Sequence, residues 1–216
     1  MVEKYKTATK PLIIFQIKGN QLIINILIFQ IMTDSIEERI IGDYLIKILQ
    51  DNEPVNPREW DNIGTIICFH KKYSLGDTHD YNFNDFNSWE ELKNRINKDQ
   101  NVAVILPIYM YDHSGITIKT TPFSCPWDSG QIGFISISKE KVLNEFGGCK
   151  ITKKLRERLT QQLIGEVETY DQYLAGDVYG YQITLNDEEL DSCWGYYGIE
   201  SCINEAKSIV KNYLPN

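Results

Sequence analysis

The run NVAVILPIYMY (101–111) constrains the fold more than any other stretch of the chain. Its continuous Val, Ile and Leu content fits a central strand with both faces covered, so chain must be found to build a layer on either side. Pro107 has no N–H to give a ladder. The strand is therefore expected to bulge or become an edge at that residue. With 216 residues, 42% of them hydrophobic, the chain is ample for one domain built around such a strand.

The rest of the pattern supplies the partners. DYLIKILQ (43–50) reads as a strand, or as the end of a helix begun at Asp34. Two prolines make 51–62 a turn-rich connection, and IGTIICFH (63–70) is a short buried strand. Ser88 and Glu91 form a capping box opening a helix over 88–98, with Trp89, Leu92 and Ile96 on one face. IGFISIS (132–138) is a strand, Ser138 caps a helix over 139–146, and Gly147-Gly148 stops it. Leu155, Leu159, Leu163, Val167, Tyr170 and Leu174 mark an apolar stripe on a helix over 152–175. A strand over 177–185, a strand or tight turn over 190–198 and a helix over 199–214 complete the chain.

Strands and helices mix without a strict βα rhythm, which predicts an α+β fold. The expectation is a single compact domain over 32–216. Its mixed or antiparallel central sheet uses 63–70, 101–111, 132–138 and 177–185, and is flanked by helices. Residues 12–32, LIIFQIKGNQLIINILIFQIM, are too interrupted by Lys18, Gly19, Asn20, Gln21 and Asn25 for a membrane span, and no signal-peptide cleavage site follows. Two readings stand for 1–31: an N-terminal β-hairpin turning at 18–21, or an upstream extension with Met32 as the true start.

Twenty-two Lys+Arg against thirty Asp+Glu give a net charge of −8. An acidic chain with no long basic stretch is a poor binder of phosphate backbones. A mimic of DNA needs dense one-sided carboxylates, whereas here the charges are interspersed. The five cysteines are odd in number and lack a CxxC pair, which fits free thiols in a reducing cytoplasm.

Chemistry concentrates in YDHSGITIKTTPFSCPWDSGQ (111–131). A Cys nucleophile needs a base or a positive field. Cys125 has His113 twelve residues earlier, with Asp112 or Asp128 to orient it; equally, Cys125 packs as a small inert hydrophobe. His70, Asp77, His79, Asp80, Asp112, His113, Asp128, Glu166 and Asp177 supply enough oxygen and nitrogen donors for a metal, without diagnostic spacing. Glu166 and Tyr170 lie one helical turn apart. A partly buried Glu166 serves as an acid or base, or accepts hydrogen bonds in a polar core network. Asp128-Ser129-Gly130 reads as a turn. Tyr179, Tyr181, Trp194, Tyr196 and Tyr197 complete the core or form a recognition surface. The stretch 111–131 is expected to leave the sheet and pack against 165–181 and 191–198. That would bring His113, Cys125, Asp128, Glu166 and Trp194 into one pocket, with Asp112, Trp127, Gln131 and Tyr170 as further ligand-binding candidates.

The motifs NPREWDN-x-GT, LGD, LP-x-YMYDHSGITI, PFSCPWDSGQ, GEVETYDQYL and DSCWGYYG, in this order over roughly residues 43–200, resemble a family of uncharacterised proteins of bacteriophages and mobile elements. The resemblance implies a phage-like genomic setting and no particular reaction. Two functions follow as expectations. One is an accessory protein that binds a host protein or a small ligand through a polar-aromatic pocket. The other is a hydrolase-type enzyme using His113 with Cys125, or a metal-bound carboxylate and histidine cluster.

Overall fold

The structure, a computed structural model, describes residues 35–148 and 150–214. The hairpin or alternative start expected for 1–31, and Cys149, lie outside the described residues. In chain order the elements are β1 (Glu37–Ile41), β2 (Tyr44–Gln50), a helical turn (Pro57–Glu59), β3 (Thr65–Cys68), a second turn (Phe83–Asp85), α1 (Trp89–Gln100), β4 (Val102–Asp112), β5 (Ile116–Lys119), β6 (Ser129–Ser138), α2 (Lys139–Glu145), α3 (Lys153–Ala175), β7 (Val178–Leu185), β8 (Glu188–Tyr197) and α4 (Ile199–Tyr213). The fold is α+β with two antiparallel sheets. Within the stretch expected as one domain the described residues form two compact units. The central unit is Glu53–Asp177. The terminal unit combines the segment ending at Asn52 with the segment beginning at Val178.

The central unit carries the sheet β3-β6-β4-β5. On one face α3 lays Leu159, Leu163, Val167 and Tyr170 against Ile66, Ile108, Met110, Ile118, Ile135 and Ile137, the stripe that the spacing predicts. Burial of each such aliphatic side chain stabilises the unit by about 1.5–3 kcal/mol. On the other face α1 places Leu92 and Ile96 over Ile67 and Phe134. The Ser88 hydroxyl accepts from the Glu91 N–H at 3.2 Å; the Glu91 carboxylate reaches back to the Asn87 N–H at 2.8 Å, and so ties down the chain just before the cap.

Pro107 does what its missing N–H requires. β5 pairs with β4 only from Tyr109 to Asp112, so Pro107 stands where β4 has β6 on one side and no described strand on the other. The β4–β6 register shifts one residue later, between Ile108 and Tyr109.

Both edges of this sheet are closed by carboxylates. Asp77 accepts from the Ile66 N–H at 2.7 Å on the outer side of β3, and its own N–H donates to the Ile66 carbonyl at 2.8 Å. Gly76 makes this approach feasible: its φ is +79°, and a Cβ there would lie 2.8 Å from the Ile66 carbonyl oxygen. On β5, Asp171 of α3 accepts from the Ile118 N–H at 2.6 Å and from the Thr117 hydroxyl at 2.8 Å. Edge amides that would otherwise recruit another strand are thereby occupied.

The terminal unit carries the sheet β1-β2-β7-β8. α4 packs Cys202, Ile203, Ala206 and Val210 on Ile46, Ile48, Tyr181 and Ile183. Segment 177–185 is thus corrected. It is a strand, but it pairs with β2 and β8 and not with the 101–111 sheet. Apolar alternation sets the strand and its buried face; the pairing partner is decided by contacts between residues far apart in sequence. DSCWGYYG is strand rather than turn, with its register against β7 shifted twice.

Candidate functional site

The segment 111–131 is a hairpin followed by a surface loop. β4 turns into β5 through Ser114 at φ 58° and Gly115, with the His113 N–H donating to the Gly115 carbonyl at 3.0 Å. After Lys119 the chain runs irregularly to Ser129, whose hydroxyl donates to the Cys125 carbonyl and closes the Cys125–Ser129 turn. The Asp112 N–H donates to the Asp128 carbonyl at 2.9 Å. Asp112 and Asp128 therefore sit side by side at one end of the sheet.

Three predicted residues converge there. His113 Nδ1 lies 3.6 Å from Asp128 Oδ2, an ion pair when the imidazole is protonated. The Cys125 thiol donates to the same oxygen at 3.9 Å. The order of contacts is thiol–carboxylate–imidazole. A cysteine hydrolase requires the imidazole beside the sulfur, so that it takes the thiol proton, with the carboxylate behind it. The group touching the Cys125 sulfur is the carboxylate. His113 is 65% exposed and Asp128 43%, so water screens the pair.

Around them lies an aromatic surface. Ile108 and Met110 face α3, so Tyr109 and Tyr111 point to the opposite face, beyond the Ile67–Phe134 patch that α1 covers. Tyr111 stacks on His113 at 5.9 Å and on Phe123 at 5.7 Å, and Lys119 Nζ sits 4.1 Å over the Phe123 ring. Asp112 accepts from the Tyr73 hydroxyl at 3.4 Å and lies 3.6 Å from Lys72 Nζ. Gln131, opposite Tyr109, donates to the Gly133 carbonyl at 3.3 Å. Trp127, at the tip of the turn, is 91% exposed.

The one-pocket expectation is corrected for Glu166. Glu166 belongs to a separate buried network. It accepts from the Ile63 N–H at 2.8 Å and the Gly64 N–H at 3.1 Å, and from Arg58 Nη1 at 3.3 Å. Arg58, its side chain 5% exposed, also grips Asp77 through Nε at 2.9 Å and Nη2 at 2.6 Å, and Nη2 donates to the Gly64 carbonyl at 2.8 Å. Burial alone would lower the Arg58 pKa; hydrogen bonding to Asp77 and the charges of Asp77 and Glu166 more than offset this and raise it. Tyr170 is buried, and its hydroxyl accepts from the Gly76 N–H at 3.1 Å. Burial raises its phenol pKa, which keeps the hydroxyl neutral. Glu166 and Tyr170 thus hold the 56–64 and 73–77 loops on α3, as a polar core network does. Trp194 stands in the terminal unit, flat against Gly180, where a Cβ would lie 2.2 Å from its ring.

Arg58, Asp171, Tyr111 and Phe123 were not singled out in the sequence. Arg58 lay in plain view in NPREWDN, but its two partners are 19 and 108 residues away. Among the described residues no group of three or more His, Cys, Asp or Glu is placed to hold a metal ion. Hollows of about 450 and 390 Å³ open between the 78–86 loop and α1, and neither contains a residue of the 111–131 cluster. Among the described residues no helix is long and apolar enough to cross a membrane. No protein-family model, curated protein or solved structure matches the chain.

Proposed function

We propose that this is an accessory protein of bacteriophage or mobile-element type, acting in the host cytoplasm, that binds a host protein through the turn carrying Trp127. One observation carries the reading: an indole 91% exposed beside the stacked His113, Tyr111 and Phe123 rings. A tryptophan held out by a closed turn costs solvation in the free protein and yields its full apolar area on docking, as anchors of interfaces do. Lys72 pairs with Asp112 and the His113 imidazole lies against Asp128, so the surface supplies an apolar anchor with a polar rim. An open surface of this kind suits a protein partner better than a small ligand, which needs a concave site.

The test is capture from host lysate by wild type, Trp127→Ala and Trp194→Ala, each with its melting temperature. Trp127→Ala is expected to weaken capture by at least about thirtyfold, as for an anchor worth about 2 kcal/mol, with stability unchanged. Equal capture by wild type and Trp127→Ala would sink the reading.

A further inference from the structure

One sheet edge of the terminal unit is open. β8 is the last strand of β1-β2-β7-β8, and seven of its ten residues are exposed. In the central sheet Asp77 and Asp171 occupy amides of the outer strands. Among the described residues no group other than β7 does this for the backbone from Glu188 to Tyr196. Two bulges shape the edge. Leu190 has no register partner, since Glu189 pairs with Thr184 and Asp191 with Ile183. Trp194 and Gly195 together stand opposite Gly180. Leu190 is 42% exposed, while the Trp194 ring lies back over Gly180 and leaves the outer side of β8 clear.

An unpaired strand edge takes up an extended chain through main-chain hydrogen bonds, and charge selects which chain. Glu188, Glu189 and Asp191 stand on β8, with Asp187 in the turn before it. None of the four is in an ion pair among the described residues. No Lys, Arg or His occurs between Arg158 and Lys207. A second copy adding its own β8 would bring the same carboxylates and no cation, so like charges oppose self-pairing. We propose that the β8 edge is the docking site of an extended basic peptide segment of a partner protein. The segment adds a fifth strand to the terminal sheet, with Lys or Arg side chains on these carboxylates and an apolar side chain against Leu190. Docking here needs nothing from the Trp127 turn.

The probe is a fluorescent heptapeptide of alternating Lys and Val, compared with its Glu–Val counterpart and with a Lys–Val version whose internal amides are all N-methylated. Binding to the full chain is read by anisotropy. Its place is read by alkylation of the exposed Cys193 thiol, mapped by mass with Cys125 as the internal reference. The Lys–Val peptide is expected to bind at least about tenfold more tightly than either comparison peptide, and to slow Cys193 at saturation while Cys125 reacts unchanged. Glu189→Gln/Asp191→Asn is expected to weaken that binding at least about fivefold. Equal affinity for the Lys–Val and Glu–Val peptides overturns the proposal. So does equal affinity for the N-methylated version, because the attraction is then of charge alone, and so does binding that leaves Cys193 unprotected. Cys193 protection that grows with protein concentration in the absence of peptide also overturns it, because a second copy then holds the edge. The peptide comparisons use the native chain, so they decide the matter even if the double variant misfolds.

Discussion

The two sheets meet the same physical demands differently. The central sheet has helices on both faces and a carboxylate on each edge, Asp77 on β3 and Asp171 on β5. The terminal sheet has one helix on one face; its other face shows Ile36, Ile40 and Trp194 to solvent. The contrast explains where functional residues can be sought. In the central unit most of the chemically suggestive residues close the structure. Asp77, Glu166, Asp171 and Tyr170 each satisfy a backbone amide that would otherwise lack a partner. Groups that close nothing, above all Trp127, are left at the surface.

This contrast breaks first at Arg58. Arg58→Ala leaves Asp77 and Glu166 without their cation in a largely buried site and is expected to cost about 3 kcal/mol in urea unfolding. Arg58→Lys should recover only part of this, since an ammonium lacks the fork that grips Asp77 in two places. A loss under about 1 kcal/mol for Arg58→Ala would show that the network does not hold the central unit together.

The terminal unit is tested at Gly180. Gly180→Ala drives a methyl into the Trp194 ring and is expected to cost about 1–3 kcal/mol. In a Trp194→Ala background that cost should nearly vanish, a coupling read directly from the double-mutant cycle. Additive effects would mean that the indole moves aside freely.

The smallest effect asks whether the two units share a response to pH. Burial pushes the Cys68 thiol up to about 12 in the central unit; burial, then the charge of Cys193, pushes Cys202 up to about 12 in the terminal unit. Their unfolded forms lose the proton near the ordinary value of 9.0. Between there and about 12 the unfolded chain binds fewer protons than the native one. Stability is therefore intact below about pH 9 and falls above it, by at most about 1.4 kcal/mol per pH unit for each thiol. Urea midpoints at pH 8 and pH 10 should diverge less in Cys68→Ala and in Cys202→Ala. An unchanged divergence in both would locate the alkaline loss elsewhere.

Much of this fold was legible in advance because its signals are local. The α3 stripe, the Ser88 and Ser138 caps and the end of α3 at Gly176 depend on residues within a few positions of each other. Pro107 announced its own irregularity, since a missing N–H acts wherever the strand is placed. The meeting of His113 with Asp128 was within reach too, because one hairpin and one turn bring both to the end of the same sheet. Glu166 was legible as a carboxylate near an apolar stripe, but not its partners.

By itself the sequence determined most of the helices and strands, the faces they bury and that 111–131 would be rich in turns; it did not show β1, and it left 43–50 and 190–198 open. Periodicity and turn chemistry act through neighbours along the chain, and neighbours are what a sequence displays. Only the tertiary structure decided that β7 joins β2 and β8, that Asp77 and Asp171 close the central sheet, and that Glu166 answers to Arg58 rather than to His113. Those choices are made between groups up to 141 residues apart, as Tyr44 paired with Leu185, where no local preference discriminates and the whole packed core selects one arrangement.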